Sequence, residues 1–440
     1  MNSDYMNTMP EELPAWLGKK GQINEPKFCE MLMKQEPLRY IDDTFYSVKG
    51  ALDEKELTSR IFAMIKDHCM TGSARKAENI IKALKLICYQ KEFITSDKDI
   101  YLRNGVLHTD GTYSADIGFC RNRLNVNYIP DAPKPERFLR FLSDMLEPDD
   151  ILTLQEYLGY CLIPTTVGQK ALFIIGNGGE GKSCIGAVVK DIFGDAAVTG
   201  NFQAIETDKF SRYKLINKLV MIDDDMQMTA LPSTGIIKNL ITSKIPVEVE
   251  AKGQQSIQVS LYSRFICFGN GSPRALYDKS EGFTRRMLIL TTKPVSPDRV
   301  IDTDLTSKLL EEKEGIFVWM FEGLRRLIAN KYEFTLSDKA KSNISELATE
   351  NCNISEYLSD SDFISFGESY SATSNDLYGG YSRWCAQNGL TAFKQDSFTG
   401  WLKANTNKYG IRYSTNVINR DNRRVRGFKG IRAAYTPIIR

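Results

Sequence analysis

Histidine is almost missing from this 440-residue chain, which holds only His68 and His108, and none of its nine cysteines stands in a Cys-x-x-Cys pair. With so few imidazoles and no paired thiols, a zinc site of finger or ribbon spacing is excluded. An odd cysteine count argues for reduced, mostly buried thiols rather than a disulfide framework. No apolar run approaches the roughly 18 residues of a membrane span. The opening stretch, Met1 to Pro14, is polar and acidic, unlike a signal peptide. A membrane partner is therefore not expected, and a cytoplasmic setting is. There is no internal repeat, and with 42% apolar residues the chain can bury two to four domain cores.

Against these absences stands one dense motif. Phe173 to Ser183 reads Phe-Ile-Ile-Gly-Asn-Gly-Gly-Glu-Gly-Lys-Ser, a Gly-x-x-x-x-Gly-Lys-Ser pattern directly after an apolar strand. Such a loop, Gly176, Asn177, Gly178, Gly179, Glu180, Gly181, Lys182 and Ser183, wraps a triphosphate with backbone N–H groups. The helix starting near Lys182 adds its positive end, the lysine reaches the β/γ-phosphates, and the Ser183 hydroxyl can hold Mg²⁺. ATP with Mg²⁺ is the expected cofactor pair, and a plain glycine-rich turn is the alternative.

Lys218 to Asp225 then runs as an apolar strand into three carboxylates, where a second parallel strand would deliver acids to the metal. Asp223 reads as the metal-side acid and Asp224 as the carboxylate that polarises the attacking water. The register is open by one, with Asp225 the spare. A third strand, Arg264 to Gly269, ends at Asn270, a candidate contact for the γ-phosphate or the water. Arg285-Arg286 precede a further apolar strand, Met287 to Leu290, and an arginine there can stabilise charge at a neighbour's phosphate.

A lysine-tipped hairpin lies between these strands. Val247, Val249 and Ala251 alternate with Glu248 and Glu250, Lys252-Gly253 turns the chain, and Ile257, Val259 and Leu261 alternate on the way back. Read alone, without the surrounding motifs, it is an ordinary surface hairpin with a solvated lysine.

Together these residues resemble the superfamily 3 AAA+ helicases, in the phage, plasmid and poxvirus primase-helicase branch. The resemblance rests on the glycine loop, the Asp-Asp strand, Ile237 to Thr242, Val247 to Gly253, the Asn270 strand, the Ser272-Pro273 and Asp278 spacing, and Gly282 to Arg286. It extends back through Leu142 to Pro164, covering roughly residues 100 to 345. Ser243-Lys244 departs from the family's glycine and acid, so the turn before the hairpin can differ. The resemblance implies an α/β fold with an AAA+ phosphate-loop core on a parallel sheet, and a helical collar over 136–165. An ATPase/helicase domain would follow over 166–345. It implies Arg286 rather than Arg285 as the arginine acting on a neighbouring subunit, and Lys252, with Lys244 a lesser candidate, as the residue gripping DNA inside a ring of six. It also implies 3′ to 5′ movement on single-stranded DNA, work at a replication origin, host replication partners, and a bacterial host cytoplasm.

The charge of +2 conceals an asymmetry: residues 397–440 carry ten Lys/Arg against Asp421, a net +9, leaving 47 basic against 54 acidic residues, or −7, before them. The basic end is a polyanion-binding candidate. It is also patterned. Leu377, Tyr378, Tyr381 and Trp384 keep helical spacing, a second helix spans roughly Gln395 to Lys403, and alternating segments flank the loop Asn419 to Arg424. This predicts a winged-helix domain over 375–440, which also resembles the C-terminal domain of the same branch. The helix near Ser397 would enter a major groove of duplex DNA, with Arg423, Arg424 and Arg426 on phosphates. Residues 346–374, Ser/Asp/Gly-rich from Ser359 to Ser374, are expected to be a linker.

Residues 1–135 are expected to be a separate N-terminal domain of unassigned role, with Tyr46, Ile61, Met64, Ile65 and Ile80 to Ile87 in helices and a hairpin turning at Asn104-Gly105. Its first hundred residues carry neither a zinc-binding cysteine set nor a compact acid cluster for nucleotidyl transfer. A helicase-only member is therefore expected. Two alternatives stay open: a primase-helicase that makes primers, and a non-unwinding origin binder or loader that uses ATP as a switch.

Overall fold

A computed structural model describes residues 14–18, 21–69, 71–91, 96–226, 234–242, 245–270, 281–295, 302–350, 353–390, 392–419 and 421–433. Two compact units are present: Met1–Gln227, Gly235–Gly271 and Arg286–Lys341 form the larger, and Met228–Thr234, Ser272–Arg285 and Ser342–Arg440 the smaller.

The larger unit opens with α1 (Glu25–Gln35), whose N-terminus is capped by the Asn24 side chain accepting from the Lys27 N–H. An antiparallel meander follows, β1 (Leu38–Ile41), β2 (Thr44–Ser47) and β3 (Gly50–Leu52), then α2 (Glu54–Ile65) and α3 (Ser73–Ile87). Phe28, Leu32, Phe45, Leu57, Ile61, Ile80 and Leu84 make a core of their own. Tyr46, expected in a helix, lies in β2. Asp42 and Asp43 adopt φ of +48° and +57° and turn the chain into the hairpin before helical spacing begins. The hairpin of β4 (Asp99–Leu102) and β5 (Gly105–His108) turns at Arg103-Asn104, one residue earlier than expected, because Leu102 pairs with Gly105, and β6 (Tyr113–Ser114) lies beside it.

The rest of this unit runs α4 (Glu136–Met145), α5 (Pro148–Tyr160), β7 (Ala171–Gly176), α6 (Lys182–Phe193), β8 (Ala197–Thr199), α7 (Phe202–Thr207), α8 (Lys209–Tyr213) and β9 (Val220–Met226). It continues with α9 (Gly235–Thr242), β10 (Val247–Val249), β11 (Ile257–Val259) and β12 (Arg264–Asn270). The short α10 (Glu281–Thr284), of the smaller unit, precedes β13 (Met287–Thr291) in the chain, before α11 (Leu305–Leu310), α12 (Lys313–Ala329) and α13 (Asp338–Glu350), which belongs to the larger unit only as far as Lys341. Five parallel strands form one sheet in the order β13-β7-β12-β9-β8. The strands β7 and β12, the latter between its terminal Arg264 and Asn270, read as apolar runs because helices cover both faces of a parallel sheet.

Two expected boundaries shift. The stretch taken as a collar, 136–165, is not a separate layer: Phe138, Leu142, Leu154, Tyr157 and Leu158 share one core with Leu172, Ile222 and Ile266 of the sheet and Met320 and Leu324 of α12. Ile100, Leu102, Leu107, Leu124 and Val126 join that core too, so the N-terminal core ends before β4 rather than at 135. Charged residues on α4 and α5 disguised this, since Asp150 and Glu156 are buried and partnered by Ser337 and Arg326.

The α5–α12 crossing is close enough for backbones to touch. A Cβ on Gly159 would lie 2.4 Å from both the Leu324 N and the Met320 O, and one on Gly323 would lie 2.3 Å from the Gln155 O. Gln155 adds a hydrogen bond from Nε2 to the Trp319 carbonyl at 2.8 Å.

In the smaller unit, α14 (Asn353–Ser359), β14 (Ile364–Thr373), α15 (Ser374–Gln387), α16 (Gln395–Ala404), α17 (Thr406–Tyr409), β15 (Arg412–Ile418) and β16 (Arg424–Ala433) surround one core. The antiparallel sheet has the order β14-β16-β15. The expected linker is thus corrected: 353–373 is structured, with Tyr357, Ile364 and Ala372 buried beside Tyr381 and Phe398. An edge strand with one face in solvent needs few apolar residues, so its Ser/Gly-rich composition resembled a linker.

Alanine in a helix interior ordinarily gains about 1 kcal/mol over glycine. At Gly159 the clash with α12 reverses the sign. Gly159→Ala should lower stability by about 1–3 kcal/mol in urea unfolding, and a stabilised variant would disprove the close crossing.

Candidate functional site

The glycine-rich loop joins β7 to α6 at the carboxyl end of the sheet. Gly178, Gly179 and Gly181 adopt φ of +104°, +83° and +96°, a region that side chains strain to enter. Gly176 is constrained differently, because a Cβ there would lie 2.4 Å from Thr292 Oγ1 and 2.5 Å from Glu180 Oε1.

Register brings the predicted residues together. β12 pairs with β7 so that Asn270 stands opposite Gly176. The Lys182 ammonium, at the first position of α6, donates to Asn270 Oδ1 at 3.1 Å and to Glu180 Oε2 at 2.7 Å. Glu180, only 3% exposed, turns its carboxylate back into the loop, where Oε1 accepts from the Asn177 N–H at 2.5 Å and the Gly178 N–H at 2.9 Å. Burial pushes this carboxyl upward, but Lys182 and the loop amides outweigh it and hold it below the ordinary glutamate value. The loop thus converges N–H groups and a cation on one anion-sized point. Nothing in the spacing of the motif foretells the inward glutamate, which occupies one of its variable positions.

The acids fall out differently from the expected register. Asp223 is buried, and its Oδ2 accepts from the Phe202 N–H at 2.7 Å, tying β9 to the start of α7. Burial raises its carboxyl above the usual range, against the pull of the Phe202 and Asp225 amides. Where the register of β9 against β12 shifts, Asp224 lies on the α6 side, with Oδ1 3.5 Å from the Cβ position of Gly186. Gly186 is one turn beyond Ser183, and both Ser183 and Asp224 are exposed. Ser183 and Asp224 are thus both exposed on the α6 side, whereas Asp223 is buried against the Phe202 amide.

Arg286 stands just before β13, at the other end of the sheet. Its carbonyl accepts from the Ala171 N–H at 2.8 Å, and Ala171 begins the strand that ends at Gly176. A six-residue strand spans about 20 Å, which removes Arg286 from the loop of its own chain. Arg285 is exposed and Arg286 half-buried.

The hairpin forms as expected, Val247 opposite Val259 and Val249 opposite Ile257, with Lys252 exposed at the tip and Gly253 at φ +77°. Its base is braced from α8: Lys209 pairs with Glu250 at 2.8 Å and Glu248 at 3.3 Å, and Arg212 Nε donates to the Glu248 carbonyl at 3.0 Å. This bracing was not legible beforehand, because nothing local links residues 209 and 248. Lys244, with Ser243, Ser272, Pro273 and Asp278, lies outside the described residues.

In the smaller unit, Arg423, Arg424 and Arg426 are exposed along the β15–β16 turn, which Asn419 ties by accepting from the Arg423 N–H at 2.8 Å. Ser397 is exposed on α16, whose Phe398 and Leu402 are buried. Between α16 and the turn lies a cleft of about 520 Å³, lined by Ser374, Gln395, Thr399, Lys403, Tyr413 and Arg426 among others.

The larger unit is thus an α/β fold on a five-stranded parallel sheet, with a glycine-rich loop at its carboxyl end that folds around the Glu180 carboxylate. Over residues 174–286 the sequence matches the profile of a family of unknown function, DUF5906. No curated protein matches it. Among solved structures, the apo structure of the NrS-1 C-terminal region superposes with a TM-score of 0.53 at 14% identity, covering 93% of this chain and 100% of that one. A structure described as the A form of the same region gives a TM-score of 0.51 at 13% identity, over 91% of this chain and 98% of that one. The fold is shared at these identities. Among the described residues, no helix is long and apolar enough to cross a membrane.

The two acids separate by experiment. Asp223→Ala strands a buried N–H and should lower stability by about 1–3 kcal/mol, whereas Asp224→Ala should change it by less than about 0.5 kcal/mol. Equal losses in denaturant unfolding would return Asp223 and Asp224 to equivalent roles.

Proposed function

We propose that this protein is an ATP-dependent DNA helicase and replication initiator of the superfamily 3 kind, with an AAA+ ATPase core and a winged-helix domain at its C-terminal end. The observation that carries the proposal is the meeting of Lys182 and Asn270 at the carboxyl ends of adjacent parallel strands, over a loop already holding an anion. The likeness of fold to the NrS-1 C-terminal region supports the reading, and phage replication is the setting proposed. The winged-helix assignment is supported by the order α14, β14, α15, α16, α17, β15, β16 with β16 between the other two strands.

In this mechanism the loop amides and Lys182 bind the β- and γ-phosphates, and Asn270 orients the terminal phosphate. Ser183 and Asp224 would hold Mg²⁺, which when bound neutralises developing charge on the phosphate oxygens. Asp225, the remaining exposed acid of the run, is the candidate to orient the attacking water. The separation of Arg286 from its own loop fits action on a neighbour's nucleotide, so a homo-oligomeric ring, proposed as a hexamer, follows. Arg285 is the alternative donor because it is the more exposed of the two. Lys252, on a hairpin braced at its base, would follow the backbone of one DNA strand, with 3′ to 5′ polarity. The exposed arginines of the β15–β16 turn would hold origin duplex.

Lys182→Ala should abolish ATP hydrolysis while leaving duplex binding intact, and normal turnover would remove the phosphate assignment. Arg286→Ala should lose about 10³-fold in turnover and recover in mixtures with Lys182→Ala protein. Failure to recover at any ratio, with recovery by Arg285→Ala instead, transfers the role. Strand displacement on a forked duplex tests the helicase reading directly: ATP hydrolysis without displacement would leave an ATP-switched binder. Lys252→Ala should hydrolyse without displacing. Replacing Arg423, Arg424 and Arg426 by alanine should flatten the dependence of log duplex affinity on log salt by about 0.9 for each phosphate these arginines neutralise.

A further inference from the structure

We infer that the glycine-rich loop carries its own competitor: the Glu180 carboxylate occupies the phosphate position of the nucleotide-free protein and must leave before a triphosphate can bind. The inference rests on the nucleotide reading of the loop and adds a gate to it.

Three observations converge. The Glu180 carboxylate takes the donors that the loop offers an anion, accepting from Asn177 and Gly178 through backbone N–H groups. It pairs with the one cation of the motif, Lys182 Nζ, at 2.7 Å, with side-chain exposures of 9% for the lysine and 4% for the glutamate. It also lies over Gly176, whose missing Cβ leaves the space for it. An internal carboxylate satisfies a buried ammonium that would otherwise be unpaired, a strongly destabilising state. Because a phosphate and the carboxylate need the same donors, both cannot be seated together. Apparent affinity then equals the intrinsic affinity scaled by the fraction of loops whose glutamate has swung out. A phosphate, with more charge and more acceptor oxygens than a carboxylate, wins when abundant, and its departure is assisted by the returning glutamate.

Glu180→Gln tests this with little change of shape. The amide oxygen still accepts from the loop N–H groups, but the charge pairing with Lys182 is gone. Titration calorimetry on the whole chain would use inorganic tripolyphosphate and a non-hydrolysable ATP analogue as probes. Glu180→Gln should bind both about tenfold tighter than the unaltered protein, the gain expected if about nine loops in ten are self-occupied. Adding Lys182→Ala should remove the gain. Glu180→Ala serves where the glutamine variant does not fold, with the same direction expected. Equal or weaker binding by a folded Glu180 variant, while the unaltered protein binds, overturns the inference and makes Glu180 a support of the loop. Absence of binding by every variant, including the unaltered chain, overturns the nucleotide reading and this inference with it.

Discussion

A buried arginine that donates to backbone carbonyls holds the larger unit in register. Arg264, 2% exposed at the start of β12, donates to the carbonyls of Thr165 at 2.9 Å and Cys161 at 3.1 Å, and to those of Ile163 and Tyr262. Its guanidinium also lies 5.3 Å from the Tyr160 ring centroid. The carbonyls of Cys161, Ile163 and Thr165 belong to the C-terminal end of α5 and the segment after it, where the helix dipole is negative and the last carbonyls lack helical partners, while Tyr262 directly precedes β12. One side chain thereby satisfies carbonyls at a helix end, and their dipoles stabilise its buried charge. Tyr157, hydrogen-bonded to the Phe265 carbonyl at 2.7 Å, makes a second tie between the same elements.

The consequence reaches the loop. β12 is pinned at its first residue, lies between β7 and β9, and ends at Asn270. A one-residue slip would move Asn270 away from Gly176 and invert every side chain of the strand. The contact between Asn270 and Lys182 therefore depends on interactions at the far end of the strand. The crossing of α5 with α12 reinforces the same anchor, since glycines at 159 and 323 let the two helices touch. What looked like a collar is thus the base on which the sheet is set.

The two basic features differ in how they are held. The hairpin carrying Lys252 is braced at its base by Lys209 and Arg212, so its tip is presented from a fixed arm. The arginines of the β15–β16 turn need no such bracing, because Arg424 and Arg426 belong to β16 itself and face the same way two residues apart.

Much of this was legible along the chain. The loop, the hairpin and its lysine, the strands ending at Asn270 and beginning at Met287, and the basic patterned end are all local signals. Each depends on apolar period, on glycine tolerance, or on turn chemistry, which a few adjacent residues determine by themselves. What only the tertiary structure decided depends on partners far apart in sequence. Asp223 accepts from the Phe202 N–H, twenty-one residues away, and is buried there, while Asp224 lies exposed beside Gly186. The edge strand Ile364–Thr373 exists because β16 supplies its hydrogen bonds, although its own composition argues for a linker. Glu180 turns into the loop because burial and Lys182 act on it together, and spacing carries no record of a side chain's direction. Period and turn chemistry are properties of neighbours in sequence, whereas side-chain direction, burial and register are properties of neighbours in space.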